Sequence, residues 1–83
     1  MGGIEMEGYM IYLLFRQDLQ RGGIVLESPH ATFDGAAEKM DSLSEYWKEK
    51  GKIIKDNKCD LIVGLPDGTP LWYYFVSSRT ILK

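Results

Sequence analysis

The sequence predicts an α+β fold: an antiparallel sheet of four to five strands with one helix packed on one face, in the order β-β-α-β-β-β. Three observations carry this. A single stretch of ~16 residues, between a cap at Thr32 or Asp34 and Gly51, places apolar side chains at helical spacing. The segments on either side are short, rich in aromatic and β-branched residues, and separated by Gly, Pro and Asn signals that suit hairpins rather than long crossovers. No segment is repeated, and the 83 residues allow one domain. Residues 1–7 read as a flexible N-terminal tail and 8–83 as the domain. Met6-Glu7-Gly8 offers an alternative start.

The first strand is expected over Tyr9–Arg16. Alternation puts Tyr9, Ile11, Leu13 and Phe15 on one face and Met10, Tyr12 and Leu14 on the other, so both faces are apolar. Gly22-Gly23 marks a turn longer than the tight two-residue type, and a second strand follows at Ile24–Glu27, closed by Pro29. Ser28 to Thr32, including His30, then reads as a loop.

Thr32 or Asp34 can cap the helix N-terminus, and the early acidic residues suit the positive end of its dipole. Ala36, Met40, Leu43 and Trp47 fall at i, i+4, i+7 and i+11, one narrow stripe with Tyr46 at its edge. Lys48 and Lys50 occupy the last turn, and Gly51 is expected to end the helix in a left-handed conformation. Lys52–Lys55 is a weak third strand, and Asp56-Asn57-Lys58 a turn or bulge. Leu61–Leu65 and Leu71–Val76 form a hairpin about Pro66-Asp67-Gly68, where Pro presets φ and Gly supplies a positive one.

One helix covers one sheet face, yet the last strand is apolar on both: Leu71, Tyr73 and Phe75 against Trp72, Tyr74 and Val76. Sheets with a wet face normally alternate. Parity alone does not say which set meets the helix. We assign Tyr12, Leu14, Trp72, Tyr74 and Val76 to the uncovered face, as an interface with a protein partner or a second copy. Asp34, Glu38, Asp41 and Glu45 would form an acidic helix face toward a basic partner. The bland reading is that Tyr and Trp sit at a solvated face beneath Lys or Arg stems.

Little else carries chemistry. His30 is the one histidine and Cys59 the one cysteine, too few for a zinc site, and no calcium or phosphate loop has the required spacing. No metal, cofactor or catalytic residue is expected; a pocket near His30 is the enzymatic alternative. Cys59, beside Asp60, reads as structurally buried. Lys48, Lys50, Lys52, Lys55 and Lys58 form the one basic concentration, but ten basic against twelve acidic residues make nucleic acid an unfavoured partner. The longest apolar run, Tyr9–Phe15, falls short of the ~20 residues a membrane helix needs. No leader pattern is seen, and one cysteine suits a reducing, cytoplasmic setting. The expected role is a non-catalytic, homodimeric protein-interaction module. The alternatives are a phage- or virus-type inhibitor of a host defence enzyme, and a nucleic-acid accessory protein acting through Lys48–Lys58.

Overall fold

A computed structural model describes residues 8–57 and 59–82; the expected tail 1–7 and Lys58 of the expected turn lie outside them. The elements are β1 (Gly8–Asp18), β2 (Ile24–His30), α1 (Phe33–Lys50), β3 (Lys52–Asp56), β4 (Asp60–Gly64) and β5 (Pro70–Leu82). They form one antiparallel sheet in the order β2-β1-β5-β4-β3, with the helix on one face. The two longest strands pair at the centre without interruption, from Gly8 opposite Leu82 to Asp18 opposite Trp72.

Local chemistry accounts for the junctions. After β1, the Asp18 carboxylate accepts the backbone N–H groups of Gln20 at 2.9 Å and Arg21 at 3.0 Å. Gly22 and Gly23 then turn the chain at φ 79° and 90°, a region that residues with a Cβ avoid. Thr32 caps α1 by accepting the Gly35 N–H at 3.0 Å. The helix buries Ala36, Met40 and Ser44, with Leu43 and Trp47 half-buried beside them. At 100° per residue, Asp34, Glu38, Asp41 and Glu45 project from the opposite side, and all four are exposed.

Several expectations change. Pro29 does not end β2 but lies within it, which an edge strand tolerates. His30 is therefore the last residue of a strand rather than part of a loop. β3 does form, with Ile54 as an extra residue between the pairs Ile53–Val63 and Lys55–Ile62. Gly51 ends the helix at φ −156°, not in the left-handed region. It is required because a side chain there would overlap the Gly64 carbonyl oxygen and the Trp47 ring. Cys59 is exposed rather than buried. β5 runs six residues beyond the expected end at Val76, to Leu82.

The core lies between α1 and the sheet. Leu14 of β1, Leu61 and Val63 of β4 and Tyr74 of β5 meet Met40, with Trp47, Ile53, Trp72 and Val76 packed around them. Tyr12 reaches the helix start and meets the Phe33 ring edge-on at 5.9 Å. Tyr74 accepts a 3.4 Å hydrogen bond from the Trp47 indole, and Ser44 donates to Asp56 at 2.8 Å. Arg16 lies over the Trp72 ring, 4.4 Å from its centroid.

This settles which face the helix takes, and it corrects the site assignment. Tyr12, Leu14, Trp72, Tyr74 and Val76 are the helix-covered set, and Leu14 and Tyr74 are 0% and 3% exposed. Leu14 and Tyr74 cannot join an outer contact surface without unfolding, and Tyr12, Trp72 and Val76 are half-buried beside them. The pattern failed to show this because both parities are equally apolar, and burying either set satisfies the hydrophobic effect.

Candidate functional site

With the even-numbered side chains of β1 and β5 under the helix, the odd-numbered set stands on the other side. Cross-strand pairs share a face, so register fixes its membership. Phe15 lies opposite Phe75 and Leu26, Ile62 opposite Tyr73, and Ile24 opposite Gln17. Ile11, Leu13 and Leu71 complete an apolar patch spanning β2, β1, β5 and β4, with no element of the described chain over it.

Its centre is aromatic. Phe15 and Phe75 stack at 5.4 Å, and Phe75 and Tyr73 at 5.0 Å, so three rings run diagonally across the two central strands. Each ring is only half-buried, shielded sideways by its neighbours and open above. A shallow hollow of about 260 Å³ lies between Phe15, Ile24, Phe75, Ser77 and Arg79. Toward β2 the patch continues onto Ile24 and Leu26, which are 56% and 51% exposed.

The rim is polar. The Tyr73 hydroxyl donates to Asp60 at 2.8 Å, and Lys55 approaches the same carboxylate at 3.8 Å. That hydrogen bond, together with partial burial, raises the Tyr73 pKa above the usual value. Lys52, Arg79 and Gln17 complete the margin. The face thus has an apolar, aromatic centre inside a charged border.

The other candidates are less coherent. His30 Nε2 lies 2.7 Å from Ser28 Oγ, a base–hydroxyl pair of the right length for nucleophilic chemistry. The nearby hollow of about 430 Å³ is lined by Tyr9, Met10, Ile11, Pro29, His30 and Ala31, without a carboxylate to orient the ring or charged groups to hold a substrate. Among the described residues no three His, Cys, Asp or Glu side chains converge on a metal position. In the basic stretch Lys48 pairs with Glu45 at 3.6 Å and Lys55 with Asp60, Trp47 is engaged with Tyr74, and Lys58 lies outside the described residues. No helix of the described chain is long and apolar enough to cross a membrane.

Sequence reasoning missed Phe15, Leu13, Ile62 and Phe75 as site residues. No pattern in the strands pointed to them, because polar residues sit near the strand ends at both parities: Arg16, Asp18, Ser78 and Thr80 on the Leu14 side, Gln17, Ser77 and Arg79 on the Phe15 side. Compared with protein-family models, curated proteins and solved structures, the chain finds no match in any of the three.

Proposed function

We propose that the chain is a non-catalytic interaction module that dimerises through its helix-free sheet face. The observation that carries this is the unbroken apolar patch centred on Phe15, Tyr73 and Phe75. Five strands ~4.8 Å apart and ~5 residues long give a footprint of ~24 × 17 Å, about 400 Å², and the β1–β5 extension adds about 200 Å². Two copies together would bury ~1,200 Å², at the lower end of specific interfaces. With ~65% of that apolar, transfer from water contributes roughly 20 kcal/mol before the ~4–15 kcal/mol cost of association.

A second copy is the favoured occupant on two grounds. Identical sheets carry identical twist, so they stack closely with strands ~30° apart. The core is also small: Leu14, Ala36, Met40, Leu61, Val63 and Tyr74 are its buried hydrophobic residues, and chains of this size commonly gain stability by oligomerising. In such a dimer both helices face outward. The exposed Asp34, Glu38, Asp41 and Glu45 stripe would then be the surface offered to a further, basic protein partner.

Phe75→Asp tests the reading. It places an unpaired charge at the patch centre but touches nothing beneath the helix, so helical circular dichroism should persist while the dimer dissociates. Tyr46→Asp, on the exposed helix surface, is the control and should leave the mass unchanged. A Phe75→Asp chain that still dimerises through this face would end the proposal. A charge at Trp72 is unsuitable, because that ring packs against the core.

A further inference from the structure

The sheet has open edges, and they are not treated alike. β3 is five residues long, bulged at Ile54, and carries Lys52, Lys55 and Asp56. β2 is interrupted by an extra residue at Glu27 and contains Pro29. Bulges, charges and proline are the usual means of stopping edge-to-edge pairing. Past the point where β4 leaves it, β5 has neither bulge nor proline, and Arg79 is its one charge. β4 reaches Phe75 through Asp60, and the Val76 N–H donates to the Cys59 carbonyl at 3.3 Å. From Ser77 to Leu82, β5 is paired only with β1, in unbroken register. The outer part of this two-stranded ribbon, Gly8–Ile11 with Arg79–Leu82, extends past the end of β2's pairing as well. Such ribbons are marginal in water without further pairing or packing.

The direction of the backbone groups follows from parity. Val76 points its N–H toward β4, whereas the Leu71 carbonyl accepts from Leu19 on the β1 side. Even-numbered residues of β5 therefore face the open edge, and Ser78, Thr80 and Leu82 present N–H and C=O groups that have no partner strand among the described residues.

We propose that this edge pairs antiparallel with the same edge of a second copy, about a two-fold axis at Thr80. The register is selected by what surrounds it. Centred on Arg79, the pairing would set two guanidinium groups directly opposite each other, which is unfavourable. Centred on Ser78, it would drive the second strand into the place of the Cys59 carbonyl on Val76. Centred on Thr80, Ser78 meets Leu82 of the second copy, Arg79 meets its Ile81, and each outward N–H finds a carbonyl. A two-fold contact of this kind is self-complementary and closes at two chains. The edge is a different surface from the helix-free face, so this pairing does not rest on the stacking reading. Together, edge and face would give a four-chain assembly.

Amide hydrogen exchange residue by residue, across protein concentrations from ~10 μM to ~1 mM, tests it. The Ser78 and Thr80 amides should slow at least tenfold over that range. The Tyr73 and Phe75 amides, which face β1 within the body of the sheet, should stay protected throughout and serve as the internal reference. Thr80→Pro removes an outward N–H at a site where an edge tolerates proline, and it should abolish the slowing at Ser78 and lower the mass reached at high concentration. Ser78 and Thr80 amides that exchange fast at every concentration would overturn the proposal. If Phe75→Asp is nonetheless monomeric where the parent dimerises, only the edge reading falls. Concentration-dependent protection in a Phe75→Asp chain that keeps the parent's full mass would support the edge while removing the face.

Discussion

Leu13→Ala and Leu14→Ala are neighbouring substitutions of the same chemistry, and the structure gives them different costs. Leu14 is 0% exposed among Met40, Leu61, Val63 and Tyr74, so truncation loses its transfer free energy and leaves a cavity the packed helix cannot fill. Such changes cost ~3–5 kcal/mol. Against a total of ~5–8 kcal/mol for a domain of 83 residues, that is roughly 40% or more of the stability. The unfolding midpoint should fall by ~15 °C or more. Leu13 is half-buried on the open face and is already partly hydrated in the single chain, so its truncation should cost about 1 kcal/mol. The assay is urea unfolding followed by helical circular dichroism, run at the lowest readable concentration so that association does not add to the Leu13 value. A Leu13→Ala cost equal to or greater than that of Leu14→Ala would refute the assignment of faces.

Three further outcomes follow from the structure. Thr32→Ala removes the side-chain acceptor of the Gly35 N–H and should lower stability by about 1 kcal/mol, read from the same urea curves. Gly64→Ala puts a methyl against the Thr69 carbonyl and should destabilise by roughly 2 kcal/mol or more, detectable as a lowered thermal midpoint. Stability should also bend with pH at both ends. Backbone N–H donors hold the Asp18 and Asp67 carboxyls below their ordinary value of 3.8, so their contribution is present above that value and is lost as pH falls through their lower folded pKa values. Burial raises Tyr74, and the Asp60 hydrogen bond raises Tyr73, above 10.0. Their contribution is present below pH 10 and is lost as pH rises through the raised values, and urea midpoints measured from pH 2 to 12 check both limbs.

Much of the architecture is legible in the residues alone. The stripe Ala36, Met40, Leu43, Trp47 and the cap at Thr32 located the helix, because helical periodicity and capping are local properties. The turn at Gly22-Gly23 and the positive φ of Gly68 were legible for the same reason. The long ends of β1 and β5 were not, since Ser77-Ser78-Arg79-Thr80 is too polar to signal a buried strand and is held as strand by pairing with β1. Pro29 also misled: proline excludes only central strands, and edge position is a tertiary fact. The face assignment failed most instructively. Leu14 and Phe15 are equally apolar neighbours, and only the helix, tethered between β2 and β3, decides which is buried. The existence of a surplus apolar face was thus readable, whereas its residues required the register.

Sedimentation equilibrium across a wide concentration range most directly tests the claim that a second copy covers the helix-free face. Stacking through this face predicts a mass at least twice the 9.5 kDa of the single chain, and in Phe75→Asp half the parent's mass, no more than the pair that the β5 edge alone would hold. A parent chain that stays at the single-chain mass at every concentration would contradict it.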